Sequence, residues 1–149
     1  MATDPDARIY ADGSALSRYL DGAPFGAAWK AWADEHGDEL VTSPLGLSEL
    51  RGIARLRGGS APATAFEVAG RVEVLRFSDQ SVSRATDVAG VLPPFVALHA
   101  GTVRAYPQVT AVATYDVHLA RVATLYGIRV VTPGREHGWW DDDPTPWTR

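Results

Sequence analysis

Short apolar runs recur along this chain with helical patterns between them, and that alternation constrains the fold more than any other feature. RIYAD (8–12), ELVTS (39–43), VEVLRFS (72–78), VTAVATYD (109–116) and IRVVTP (128–133) each read as a short strand. Their apolar character is nearly continuous, as in strands of a parallel sheet covered on both faces. SALSRYL reads as a helix with Ser14 as its N-cap. PFGAAWKAWADEHG repeats Phe25, Trp29 and Trp32 at helical spacing, a core stripe. PLGLSELRGIARLRGG has Pro44 at its start and Gly58-Gly59 at its stop, with Leu47, Leu50, Ile53 or Ala54, and Leu56 or Arg57 facing inward. SAPATAFEVAGR predicts a short helix between loops. Residues 79–91 and 94–105 read as two helices parted by Pro93-Pro94, and VHLARVATLYG as the last helix. Strand–helix alternation of this kind predicts an α/β fold, a three-layer α/β/α sandwich around a central, mostly parallel sheet.

The 149 residues suit one domain with a sizeable core. The expected division is a domain over 1–133 and an aromatic, acidic tail over 134–149. Trp139, Trp140 and Trp147 would dock that tail on the domain or on a second subunit. Its Asp141-Asp142-Asp143 run reads as solvated. No apolar run approaches the roughly 20 residues that span a bilayer, and MATDPDAR does not look like a secretory signal. The expectation is a cytoplasmic protein with no membrane association. The absence of cysteine excludes disulfides, thiolate-bound zinc and a thiol nucleophile. A net charge of −4 does not advertise nonspecific nucleic-acid binding. Lys30 is the only lysine in a chain rich in Ala, Gly and Arg, which points to a GC-rich, bacterial source.

Open α/β sheets hold ligands outside the carboxyl ends of their strands. Asp12 and Asp116 end two predicted strands, and Glu49 lies in the first turns of the helix after a third. Three carboxylates converging there would suit Mg²⁺ or Mn²⁺, hard cations that take oxygen ligands. Each acid also has a plainer use. Asp12 can bond the Gly13-Ser14 turn, Asp116 can cap the following helix, and Glu49 can be solvated. Asp79 reads as an N-cap and Asp87 as a solvated position. Arg51, Arg55 and Arg57, on the Glu49 helix, are candidates for RNA phosphate contacts or for a solubilising face.

Three segments together resemble the PIN-domain nucleases, in particular the VapC-type toxins of bacterial type II toxin–antitoxin pairs. IYADGSAL resembles their opening motif at Asp12 and Ser14, TSPLGLSELRGIAR their second at Glu49, and VATYDVHLARVATLYGIRVVTP their closing motif at Thr114 and Asp116. The likeness spans roughly residues 8–133 and implies a Mg²⁺- or Mn²⁺-dependent endoribonuclease. Asp12, Glu49 and Asp116 would be the catalytic and metal-site acids, with Ser14 and Thr114 orienting them. It also implies an RNA substrate, a homodimer and a cognate antitoxin. The family carries a further acid where FVALHAG has Val96, a residue that cannot bind a cation. Three acids stand where the family has four, which leaves a second reading: a PIN-fold protein with impaired or lost catalysis that works by binding RNA or protein. His99, three residues on, matches the family pattern and reads as a packed or hydrogen-bonded histidine.

Overall fold

The computed structural model describes residues 4–147; the first three residues of the N-terminal stretch and the last two of the tail lie outside it. Five strands form one sheet in the order β3-β2-β1-β4-β5, every pairing parallel. They are β1 (Arg8–Ala11), β2 (Leu40–Thr42), β3 (Glu73–Val74), β4 (Val109–Ala113) and β5 (Arg129–Val131). The helices are α1 (Gly13–Leu16), α2 (Gly26–His36), α3 (Pro44–Arg57), α4 (Ala61–Arg71), α5 (Asp79–Thr86), α6 (Pro94–Ala105) and α7 (Val117–Leu125).

The two-residue period of the strands divides the core into two layers. Ile9, Ala11, Ala111 and Ala113 face Leu16, Leu20, Trp29, Leu50 and Val68. Tyr10 and Val112 face Leu92, Val103, Leu119, Val122 and Trp140. The sandwich expected from the alternation is present. The chain winds outward from β1 to β3, then returns to the opposite side of β1 with β4. The winding therefore reverses between β1 and β4, and the crevice at such a reversal is the usual ligand position in this architecture.

Several local expectations give way to specific bonds. Ser14 is not the first N-cap: Asp12 is, accepting from Ala15 N, and the helix it starts is four residues long before a 3-10 turn over Ser17–Tyr19. Phe25 lies outside α2, left-handed at φ 61°, and 43% exposed, so only Trp29 of the aromatic stripe is fully buried. Leu47, Leu50 and Ala54 carry the inner face of α3, whereas Leu56 is 90% exposed. The VEVLRFS strand shrinks to Glu73–Val74 because it lies at the sheet edge, where short strands are the rule. The helix expected to reach residue 91 stops at Thr86; Ser78, not Asp79, caps it through a reciprocal bond with Ser81. Asp87 pairs with Arg104 at 3.1 Å instead of standing free. SAPATAFEVAGR yields an 11-residue helix, longer than expected.

The tail packs against α7. Arg121 is buried there and donates to the carbonyls of Trp140 (3.3 Å), Asp143 (2.8 Å) and Thr145 (2.7 Å). Trp140 is buried in the second core layer. Among the described residues no helix is long and apolar enough to cross a membrane.

Candidate active site at the sheet edge

Asp12 leaves the end of β1 in extended conformation, and its carboxylate is 3% exposed. Three donors hold it. Ser14 Oγ (2.7 Å) and Ala15 N (3.0 Å) bond Oδ1, and Thr114 Oγ1 (2.8 Å) bonds Oδ2. Burial nevertheless pushes its pKa above the usual carboxylate value, against the pull of His99 and of these hydrogen bonds. Ser14 and Thr114 tie the end of β1 to the end of β4. Thr114 Oγ1 also accepts from Asp116 N (3.0 Å), and Ser14 Oγ from Tyr115 N (2.8 Å). Asp116 caps α7 through Oδ1 and Leu119 N (2.9 Å), as its plainer reading anticipated. Asp12, Ser14, Thr114 and Asp116 thus form one hydrogen-bonded group at the β1–β4 crevice.

Glu49 joins from α3. Its Oε1 accepts from Gly13 N at 3.1 Å and from His99 Nε2 at 2.6 Å. His99, on α6, is 2% exposed, and its Nδ1 bonds the Tyr10 hydroxyl at 2.6 Å, which in turn bonds Ser43 Oγ at 2.7 Å. Burial alone would lower the imidazole pKa. The Glu49 bond and the charges of Asp12, Glu49 and Asp116 outweigh it, and the net shift is upward. His99 is therefore a hydrogen-bonded histidine that holds its proton more tightly than a free imidazole does. Tyr10 was not legible as a participant, although a fully buried tyrosine hydroxyl two residues before Asp12 must find a partner. Gly13 was also missed: a Cβ there would lie 2.2 Å from Glu49 Cβ.

A family model for the PIN domain matches residues 9–137. The chain belongs to the PIN domain family. Among solved structures, the fold is similar to FitAcB from Neisseria gonorrhoeae, at 19% identity and TM-score 0.62, covering 86% of this chain and 99% of that one. A structure of FitAB bound to an IR36 DNA fragment gives TM-score 0.64 at 19% identity, covering 87% and 99%. PAE2754 from Pyrobaculum aerophilum gives TM-score 0.52 at 22% identity, covering 74% and 76%. No curated protein matches the chain in sequence.

This PIN domain has Val96 two residues into α6 from Pro94, half-buried against the second core layer. Among the described residues no group of three or more His, Asp or Glu side chains is gathered tightly enough to hold a metal ion. The reason is visible in the bonds: Glu49 is engaged by His99 and Gly13. Asp116 Oδ2 carries no hydrogen bond among the described residues, and Asp12 keeps one of its roughly four acceptor positions. Carboxylate oxygens alone suit a hard divalent cation, and Mg²⁺ needs only one or two of them plus phosphate and water. The donor set fits a lightly held cation of this type. Asp141, Asp142 and Asp143 do not touch Asp12, Glu49 or Asp116; Asp143 Oδ1 bonds Thr145 N within the tail. Arg51 and Arg55 line a cavity of about 250 Å³ with Pro62 and Phe66, and Arg57 donates to Asp21 O.

Proposed function

We propose that this PIN domain is a VapC-like toxin, a metal-dependent endoribonuclease restrained by a cognate antitoxin. The observation that carries the reading is the group at the β1–β4 crevice: a buried Asp12 oriented by Ser14 and Thr114, with Asp116 attached through the same threonine. Asp12 and Asp116 would hold Mg²⁺ or Mn²⁺, which supplies positive charge to the phosphodiester under attack by water. The chain's own residues do the rest. Ser14 and Thr114 fix the carboxylate geometry. His99 holds Glu49 in place through the 2.6 Å bond to its Oε1. The similarity to FitAcB and to the DNA-bound FitAB assembly supports the expectation of a partner protein.

Val96 and the His99–Glu49 pair favour the second reading, in which catalysis is impaired and the domain acts by binding RNA or a protein. Cleavage of RNA with Mg²⁺ and with Mn²⁺, measured for the native chain, Asp12→Ala and Val96→Asp, separates the two. Native activity that disappears in Asp12→Ala supports the nuclease. Native inactivity with activity gained in Val96→Asp supports impaired catalysis.

A further inference from the structure

Asp116 uses one carboxylate oxygen to cap α7, and where the other oxygen points depends on the turn 114–116 that leaves β4. That turn is tied down on several sides. Thr114 N donates to Val131 O (3.2 Å), and Thr114 O accepts from Thr132 Oγ1 (2.9 Å), which itself accepts from Trp139 Nε1 (2.9 Å). Tyr115 N donates to Ser14 Oγ (2.8 Å), the hydroxyl that also orients Asp12. The Tyr115 hydroxyl donates to Pro133 O at 2.7 Å, beyond the end of β5. Its ring is held as well. The Arg18 guanidinium carbon lies 4.4 Å from the ring centroid, Phe25 stacks on it at 5.9 Å with planes at 19°, and Trp29 meets it edge-on at 6.4 Å. Arg18 is fixed in turn: Nε donates to Ser14 O (2.9 Å) and Nη1 to Pro24 O (3.2 Å).

Tyr115 therefore touches both halves of the acid group. Its backbone reaches the β1 side through Ser14, and its side chain pins the β4 side to the chain leaving β5. Arg18 works from the other direction, bonded to the carbonyl of Ser14 and lying over the Tyr115 ring. Three observations set this apart from ordinary packing. Tyr115 is half-buried, and phenylalanine would bury the same ring without a hydroxyl that needs a partner. Arg18 lies within 4 Å of no carboxylate among the described residues, so its charge is committed to the ring and to two carbonyls instead of an ion pair. Phe25 reaches the ring from a left-handed backbone, at φ 61°, a region that bulky L-residues resist. Gly134, at φ +92°, leaves room for it: a Cβ there would lie 2.9 Å from Phe25 Cδ1. Strain of this kind persists where the surroundings over-determine a functional geometry.

We propose that Tyr115, braced by Arg18, is a positioning residue for the cation site: it fixes the 114–116 turn against Ser14 and Pro133, so that Asp12 and Asp116 are held at the spacing one divalent cation needs. The proposal rests on the reading of Asp12 and Asp116 as ligands of that cation. It adds two residues that act on the site through its backbone.

The test is titration of Mn²⁺ followed by electron paramagnetic resonance on the full chain, with the melting temperature of each variant measured without metal. Loss of a partner that orients a metal ligand typically lowers metal affinity by roughly 10–100-fold, and Tyr115 acts one step further out. Tyr115→Phe therefore weakens Mn²⁺ binding about ten-fold, at the lower end of that range. Arg18→Met does about the same. Because both act on one turn, the double variant also loses about ten-fold, not the roughly hundred-fold of independent sites. Val68→Ala, which trims a buried side chain on α4, lowers the melting temperature and keeps the native Mn²⁺ affinity. Native affinity in Tyr115→Phe, independent losses in the double variant, or an equal loss in Val68→Ala overturns the proposal. Mn²⁺ binding that needs Asp12 but is indifferent to Tyr115→Phe removes the positioning role and leaves the cation site standing. Mn²⁺ bound with the expected losses, but without cleavage of RNA, counts against the nuclease and leaves the positioning role standing. No Mn²⁺ binding by the native chain overturns both.

Discussion

Replacing Glu49 with glutamine should weaken the pH dependence that His99 gives to folding. In the native chain the imidazole pKa lies above its ordinary value of 6.5, so the folded state holds the proton more tightly than the unfolded state. The resulting stability is fully present below the unfolded value and is lost as pH rises through the folded one. Glutamine keeps an oxygen for Gly13 N and His99 Nε2 but removes the charge. The Glu49 contributions that raise the His99 pKa are then lost while burial, the largest influence, remains, so the folded pKa moves down. The extra stability that the tightly held proton gives at low pH shrinks accordingly. A hydrogen bond to a charged group contributes about 1.5–3 kcal/mol. The Glu49 side chain is 31% exposed, which places the loss near the lower end, about 2 kcal/mol. For a chain of this size that is a drop of roughly 4–8 °C in melting temperature. The assay is thermal unfolding on both sides of neutrality, with the His99 ring resonance followed by NMR. If the resonance titrates at the same pH in both proteins, Glu49 is not what raises the His99 pKa, and the electrostatic role given to this pair is wrong.

Val96→Asp should be nearly neutral for stability. The third position of α6 gains about 0.3–1 kcal/mol from an acid at a helix start that has neither an acidic residue nor a side-chain cap, against about 1 kcal/mol of lost apolar burial. A melting temperature lower by more than a few degrees would contradict this. Gly101→Ala places a Cβ 2.3 Å from Ser81 O and 2.6 Å from Ala85 N, both backbone atoms of α5. Urea denaturation should show a loss of about 1–3 kcal/mol. Arg121→Met removes the donor to three tail carbonyls. It should cost roughly 1–3 kcal/mol and speed proteolysis beyond residue 133, and an unchanged digestion pattern would show that the tail is held by its tryptophans alone.

Much of this architecture is written in local pattern. Continuous apolar runs mark strands covered on both faces, and β1, β2, β4 and β5 fall inside the runs that predict them. Where pattern misled, a nonlocal partner decided. VEVLRFS looks like a full strand, but only one neighbour pairs with it, so two residues suffice. Asp12 took the capping position expected of Ser14 because the serine hydroxyl turns across the crevice toward Thr114 and Tyr115, about a hundred residues away in sequence. The acids were legible as a set because strand-terminal positions share one edge. That Glu49 is engaged by His99, and His99 by Tyr10, was not legible: it depends on α3, α6 and β1 meeting, which no local spacing encodes. The strained backbone of Phe25 has no sequence mark, since a phenylalanine before a helical pattern reads as part of the stripe.

A metal-dependent active site at this crevice requires that Asp12 and Asp116 hold a divalent cation. Titration of Mn²⁺ followed by electron paramagnetic resonance counts the bound ion without requiring turnover. The native chain should bind Mn²⁺, Asp12→Asn should lose that binding with the fold intact, and Val96→Asp should bind more tightly than either. Equal binding by the native chain and Asp12→Asn, or no binding even in Val96→Asp, would contradict the assignment of this crevice as a metal-dependent active site.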